Sequence, residues 1–283
     1  MTGGASDGRA VDRRADRAAD GAGGAADALV EVRGIAKTYP GGVEALRDVT
    51  LSFPRGKLST LLGPSGCGKT TLLKIIAGLV RPSSGEVRVD GRLVDRPGPE
   101  RAFVFQDFAL LPWATVLRNV AFGLELRGVP EAERFATARR YIAEVGLEGF
   151  EESYPHELSG GMRQRVGLAR ALAVDADILL MDEPFSSVDE QTRRKFQEDL
   201  LDLLARRRRT VIFVTHSIEE AVYVSDRIVL LSPRPGTVSR IVAPNIERGE
   251  RGERGRGPDE IRRDRNYLDA VDGIWHVLRQ YVA

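Results

Sequence analysis

The sequence predicts an α/β fold in which a βα core is interrupted by an all-helical insert. Three observations carry this reading. The short apolar runs "KLSTLLG", "RAFVFQ", "DILLMDE" and "TVIFVTH" have the length and bulk of buried strands. Between the second and third of these, "ATVLRNVAFGLEL", "EAERFATARRYIAEVG" and "GMRQRVGLARALAV" follow one another at helical period with no strand among them. Afterwards strand and helix alternate again, with "EQTRRKFQEDLLDLLARR" between "DILLMDE" and "TVIFVTH". The insert is roughly 70 residues long, over about residues 107–174.

The elements are justified in chain order. Residues 1–28 are almost all Gly, Ala, Asp, Arg and Ser and offer no Leu, Ile or Phe to a core, which predicts a disordered leader. "LVEVRGIAKTY" and "LRDVTLSF" alternate apolar and polar residues as half-buried strands do. "GEVRVDGRLV" reads as a hairpin turning at Asp90-Gly91. "DRIVLLS" and "GTVSRIV" close the domain as strands, giving a boundary of 29–245. Residues 246–264 are rich in Gly, Arg and Glu and read as a flexible linker. Residues 265–283 read as a C-terminal helix, with Leu268, Val271, Ile274, Trp275 and Leu278 at helical spacing and packing on the core.

Bulk properties narrow the function. The 283 residues are 42% hydrophobic, enough for one large core or two modest domains. A net charge of +1 gives no global field pointing to nucleic acid. Cys67 is the only cysteine, so no intramolecular disulfide forms, which fits a reducing compartment. No run approaches the ~18 apolar residues of a membrane span. The N-terminus has no apolar signal region. The expectation is a cytosolic protein able to dock on a membrane protein.

"GPSGCGKTT", Gly63 to Thr71, matches the P-loop pattern, after a buried strand and before the helix "TTLLKIIAGL". Gly63, Pro64, Ser65, Gly66, Cys67 and Gly68 form a loop whose N–H groups can converge on one anion. The helix N-terminus adds partial positive charge. Lys69 supplies a mobile full charge to the β- and γ-phosphates of ATP, and the Thr70 hydroxyl can ligate Mg²⁺. Cys67 reads as a small filler, although its seat near a helix N-terminus could lower its pKa and make it reactive.

"ILLMDEP" is an apolar strand ending in two carboxylates. Asp182 can hold the Mg²⁺ shell, and Glu183, where the chain turns, is placed to polarise an attacking water. "VIFVTHS" delivers His216 to the same sheet edge, where a neutral imidazole could contact the γ-phosphate. His156 and His276 have no such setting. Gln106 ends "AFVFQ" where the insert begins; it is a candidate ligand of Mg²⁺ or water and a γ-phosphate sensor, or an ordinary polar strand-end residue. Tyr39 could stack on a purine ring or be a core or turn tyrosine.

"YPHELSGGMRQR" offers a second anion site: Ser159 is a good N-cap, and Gly160 and Gly161 leave the first helical N–H groups uncovered. One ATP needs one cradle, and the two lie in different lobes. The second therefore serves the nucleotide of another copy, in a head-to-tail homodimer with two shared sites. The run Arg206–Arg209 is expected to cap a helix C-terminus rather than to bind nucleic acid.

From about Leu29 to Val242 this order resembles the ATP-binding subunit of ABC transporters: Tyr39, GPSGCGKTT, Gln106, LSGGM, ILLMDEP, SSVD and His216 are similar to that family's A-loop, Walker A, Q-loop, signature, Walker B, D-loop and H-loop. The resemblance implies a P-loop NTPase with a RecA-like βα core, an antiparallel β subdomain and a helical subdomain, and a D-loop carboxylate at Asp189. Met162 stands where the signature usually has Gln, and Ser187-Val188 where the D-loop usually has Ala-Leu. "ALLPWATVLRNVAFGLELRGV" and "LLSPRPGTV" resemble the nitrate/sulfonate/taurine importers. That branch implies two permease subunits docking near Leu110, Leu111, Pro112 and Trp113, a separate solute-binding protein, and a peripheral position on the cytoplasmic face of a bacterial membrane. Alternatively Trp113 is core of the insert. The competing functions are a soluble ABC ATPase acting on nucleic acid or ribosomes, and a P-loop kinase, which needs neither LSGG nor His216. The substrate is chosen by subunits outside this chain.

Overall fold

A computed structural model describes residues 28–186, 190–205, 209–246 and 257–281. Two sheets organise it. The first is antiparallel, in the order β2-β1-β4-β5, from β1 (Ala28–Thr38), β2 (Glu44–Pro54), β4 (Ser84–Val89) and β5 (Arg92–Leu93). Asp90 (φ 49°) and Gly91 (φ 73°) make the two-residue turn between β4 and β5 that the sequence predicts.

The second sheet has the order β10-β9-β3-β8-β7-β6. It contains β3 (Leu58–Leu62), β6 (Arg101–Val104), β7 (Ile178–Asp182), β8 (Thr210–Thr215), β9 (Arg227–Leu231) and β10 (Val238–Val242). All neighbours are parallel except β10, which runs antiparallel to β9. Every residue of β3, β7 and β8 is buried, as continuous apolar runs require.

The period of two then divides their side chains between two cores. Val211 and Phe213 of β8 join Leu179 and Met181 of β7 in one core. Ile212 and Val214 join Ile178 and Leu180 in the other. The first core holds the helices of the insert, α2 (Val116–Leu126), α3 (Glu131–Glu144) and α4 (Gly160–Ala173). The second holds the antiparallel sheet and α1 (Lys69–Ile76). No strand interrupts residues 105–177.

After β7 come α5 (Glu190–Ala205), β8, and a short helix that the periodicity reading overlooked, α6 (Ile218–Val224). Its seven residues are too few for a helical period to stand out. The C-terminal segment brings two helices, α7 (Pro258–Arg263) and α8 (Arg265–Arg279). The first corrects the linker expected over 246–264: Pro258 at the first helical position and Glu260 fit a helix start. Residues 247–256, and the leader apart from Ala28, lie outside the described residues.

The expected stripe of α8 is also shifted. Leu268 and Trp275 are exposed, while Tyr267 and Ile274 are buried against the first core together with Ile261 of α7. Tyr267 Oη donates to Glu219 O of α6 at 3.4 Å, and the Arg262 guanidinium lies over the Tyr223 ring at 4.8 Å.

Arg206–Arg208 lie outside the described residues; Arg209 caps a helix C-terminus, as expected. It ion-pairs with Asp175 at 2.6 Å and donates to Leu172 O. The helix it serves is α4.

Candidate functional site

Four neighbouring parallel strands end at one edge of the large sheet, and each carries a predicted site residue on the turn beyond it. Beyond β3 comes Gly63–Thr71, beyond β8 His216, at the end of β7 Asp182 and Glu183, and beyond β6 Gln106. This is the edge where open α/β sheets bind ligands. A cavity of about 500 Å³ lined by Arg55, Asp175, Asp177 and Arg209 opens at the other end of the strands and contains none of these residues.

The first cradle is shaped by what its glycines exclude. Gly68, at φ 98°, is the N-cap of α1, and no side chain caps that helix. A Cβ there would meet Leu46 Cδ2 at 2.6 Å and Ala45 O at 2.8 Å. The first N–H groups of α1 therefore face an anion site unoccupied by any capping side chain. Lys69 is buried, and its Nζ donates to Gly63 O at 2.8 Å and Pro64 O at 3.0 Å, folded back over the loop. Ser65 and Gly66 are exposed at its rim. This cradle fits a phosphate group.

Cys67 is the filler. Its side chain is buried, and burial pushes the thiol above its ordinary value, the nearby Lys69 charge pulling only partly back. The reactive-thiol alternative is thereby corrected: desolvation outweighs the helix terminus. Gly236 shuts the loop from behind, since a Cβ there would lie 2.0 Å from Cys67 O. Its N–H donates to Ala45 O at 2.9 Å and its carbonyl accepts from Arg47 N at 3.0 Å. In the sequence Gly236 reads as the first residue of the strand "GTVSRIV"; the strand starts at Val238, and Gly236 instead packs on the loop.

Thr70 Oγ1 donates to Asp182 Oδ1 at 2.8 Å. Asp182 is 3% exposed, and burial raises its carboxyl above the ordinary value, against the lowering effect of the Thr70 bond. Two hard oxygen donors side by side suit Mg²⁺, which takes one or two protein oxygens and fills its shell with phosphate and water. No group of three or more His, Cys, Asp or Glu among the described residues could hold a metal by itself.

Glu183 follows with a left-handed backbone, φ 46°, a costly conformation for a residue other than glycine. Its N–H donates to Val214 O at 3.0 Å, and Ser186 Oγ donates to its carbonyl at 3.0 Å. The resulting turn brings Oε2 to 3.2 Å from His216 Nδ1. His216 is itself held by the turn that starts α6: Ser217 N donates to Thr215 Oγ1, and Ser217 Oγ accepts from Glu220 N.

This pairing sharpens the role of His216. A neutral ring that gives its one N–H to Glu183 has only a lone pair at Nε2 and cannot donate to a phosphate.

Tyr39 starts the turn after β1, and its Oη lies 3.3 Å from Thr71 Oγ1, beside the first cradle. Gln106 is two residues beyond β6 rather than at its end; its side chain is exposed and hydrogen-bonds to none of Thr70, Asp182 or Glu183. Asp189 lies outside the described residues.

Ser159 is the N-cap of α4, as its sequence setting predicts, and accepts from Met162 N at 3.3 Å. Its own O–H remains available as a donor next to Gly160 and Gly161. The two cradles sit on different cores: Cys67 and Leu72 belong to the core of the antiparallel sheet, Leu158 and Val166 to that of the insert. Trp113 is 75% exposed, which removes the core alternative for it. Leu110 packs partly against the insert.

Known proteins resemble this chain in sequence and fold. The family described as ABC transporter matches residues 46–186. The taurine import ATP-binding protein TauB of Pseudomonas putida is 49% identical over 89% of this chain and 94% of that protein. The nitrate import ATP-binding protein NrtD of Synechocystis is 44% identical over 84% of this chain and 90% of that one. Among solved structures, the dimeric bacterial ABC transporter cassette MJ0796 has a TM-score of 0.70 at 33% identity, covering 76% of this chain and 98% of that one. A post-hydrolysis dimer of the same cassette, bound to ADP and Pi, has a TM-score of 0.69 at 34% identity. With the strand order, the cradle and the carboxylate edge all in place, this chain belongs to the ATP-binding proteins of the ABC transporter family.

Proposed function

We propose that this chain is the ATP-binding and ATP-hydrolysing subunit of an importer for a small solute of the nitrate, sulfonate or taurine type. The observation that carries the proposal is the convergence of Lys69, Thr70, Asp182, Glu183 and His216 on one sheet edge, with Ser159–Gly161 on a separate lobe. The names of the taurine and nitrate relatives support the solute class.

In this reading Gly63–Thr71 and Lys69 hold the phosphates of ATP, and Tyr39 stacks on its base. Thr70 and Asp182, with Gln106, hold Mg²⁺, which when bound neutralises phosphate charge. Glu183 takes a proton from the attacking water, and His216 orients that carboxylate through Nδ1. Ser159, Gly160 and Gly161 cap the γ-phosphate of a second copy, with Asp189 at the same interface. Two such sites make the homodimer close on ATP and loosen after hydrolysis. The dimeric relatives in solved structures support this step.

The dimer then works on two permease subunits on the cytoplasmic face of the membrane. The exposed Trp113 with Leu110, Leu111 and Pro112 supports a docking surface there. A separate solute-binding protein supplies the substrate. No helix among the described residues is long and apolar enough to cross a membrane, so the permease is a different chain in this proposal.

The test is co-expression with a permease and a solute-binding protein of the nitrate, sulfonate or taurine importer class. Co-purification, and ATP turnover stimulated by the loaded binding protein, are expected. Retention on nucleic acid at physiological salt with no permease association would instead favour a soluble ATPase acting on nucleic acid.

A further inference from the structure

Gln106 is followed by a turn that its own residues do not favour. Phe108 (φ 64°) and Ala109 (φ 44°) are consecutive left-handed residues, and neither is glycine. Such pairs persist where the surroundings hold them. Local bonding is slight: Ala109 N donates to Asp107 O at 2.7 Å and Phe108 N to Phe105 O at 3.2 Å.

The holding comes from α4. Arg170 Nη2 donates to Phe108 O at 2.8 Å, and its Nη1 donates to Ala109 O at 2.6 Å. A guanidinium fork across two successive carbonyls fixes their rotation as well as their distance, which a lysine ammonium cannot do. Arg170 is half-buried and has no carboxylate partner among the described residues, so these two carbonyls take its hydrogen bonds. Seven residues earlier on α4, Arg163 lies over the Phe108 ring at 5.8 Å. Arg163 also donates to Leu158 O at 2.6 Å, immediately before Ser159. On the other side of the turn, Asn119 of α2 accepts from Leu111 N at 2.8 Å and donates to Leu111 O at 3.1 Å, and Trp113 stands exposed just beyond.

We infer that Arg170 is a positioning residue: its fork ties the segment carrying Gln106 to the helix that begins at Ser159, so that nucleotide sensed at Gln106 reorients Ser159–Gly161 and Trp113 together. The inference rests on the reading of Gln106 as a phosphate sensor. The path is short and contiguous, running from Gln106 through the carbonyls of Phe108 and Ala109 to Arg170 and α4.

The chain has two tryptophans, so Trp275→Phe leaves Trp113 as the single reporter. In full-length W275F, the non-hydrolysable analogue AMP-PNP with Mg²⁺ should shift Trp113 emission. In W275F/R170K, analogue affinity should stay within about threefold, while the emission response falls to about a third or less and kcat for ATP falls about tenfold with KM unchanged. A response and a kcat equal to those of W275F would overturn the role of Arg170 alone. A W275F chain whose emission ignores bound nucleotide would overturn the sensor reading and the relay with it.

A second measurement needs no change at Arg170. In the unsubstituted chain, hydrogen exchange over residues 105–113 and 158–166 should change together on adding AMP-PNP, and in Gln106→Ala both changes should disappear. A response over 158–166 that survives in Q106A would refute the relay.

Discussion

The Thr70 hydroxyl donates to Asp182 Oδ1 at 2.8 Å, joining two residues 112 positions apart in the chain. Thr70 follows β3 and Asp182 ends β7, and β8 lies between those strands. Parallel strands in register deliver both to one edge. The bond gives a buried carboxylate its neutral partner, and the same two oxygens suit Mg²⁺.

Burial raises the Asp182 carboxyl above its ordinary value. Between that ordinary value and the raised one, the native chain holds a proton that the unfolded chain has released. Stability therefore falls as pH rises through that window. Asp182→Asn should raise the urea midpoint of the nucleotide-free chain at pH 7 and abolish Mg²⁺-dependent ATP turnover. An unchanged or lower midpoint would mean that the ionised carboxylate is not destabilising.

Glu183→Gln keeps a partner for His216 Nδ1 but removes the base. Turnover should drop by about 10²–10⁴-fold. ATP affinity should hold, and size-exclusion chromatography with ATP should show a long-lived dimer. Normal turnover in this variant would remove Glu183 from the base role.

Ser159→Arg should leave the affinity of the first cradle for ATP within about twofold while dimer formation and turnover are lost. The missing N-cap costs about 1 kcal/mol of α4 stability, small beside the activity loss. ATP-dependent dimers persisting on gel filtration in an S159R/E183Q chain would refute the shared site.

Gly236→Ala should push the first cradle out of shape, because the new Cβ would start 2.0 Å from a backbone oxygen of Cys67. The expected result is a weaker ATP affinity, by about tenfold, with a stability loss of about 1–3 kcal/mol. Calorimetric titration and urea unfolding separate the two effects, and unchanged affinity would contradict the packing of this turn on the loop.

Cys67 should react with a thiol reagent at least about 100-fold slower in the native chain than in urea, since the thiolate is both disfavoured and covered. Native labelling at the rate of the denatured chain would contradict its burial.

The motifs were legible because each is local. A P-loop needs glycines and a lysine at fixed offsets, and "ILLMDE" and "VIFVTH" carry in one line both the buried strand and the polar residue at its end. Ser159 announces itself as an N-cap by the helix that follows it. The helical insert was readable from three successive periods without a strand.

What lay beyond the sequence depends on contacts between distant segments. Gly236 looks like the start of a strand until its backbone meets the loop at Cys67. Arg170 looks like one more surface cation until Phe108 and Ala109 turn their carbonyls toward it. Leu268 and Trp275 share a helical period with Ile274, but docking of α8 on the core chose Tyr267 instead.

By itself, then, the amino-acid order determined the strands, the longer helices and the chemistry at each strand end, because backbone period and capping act over a few residues. Only the tertiary structure decided which strand ends are neighbours, which carboxylate is desolvated and which arginine holds which turn. Burial, charge proximity and close packing are properties of three-dimensional neighbours, and the order β3-β8-β7-β6 is written nowhere along the chain.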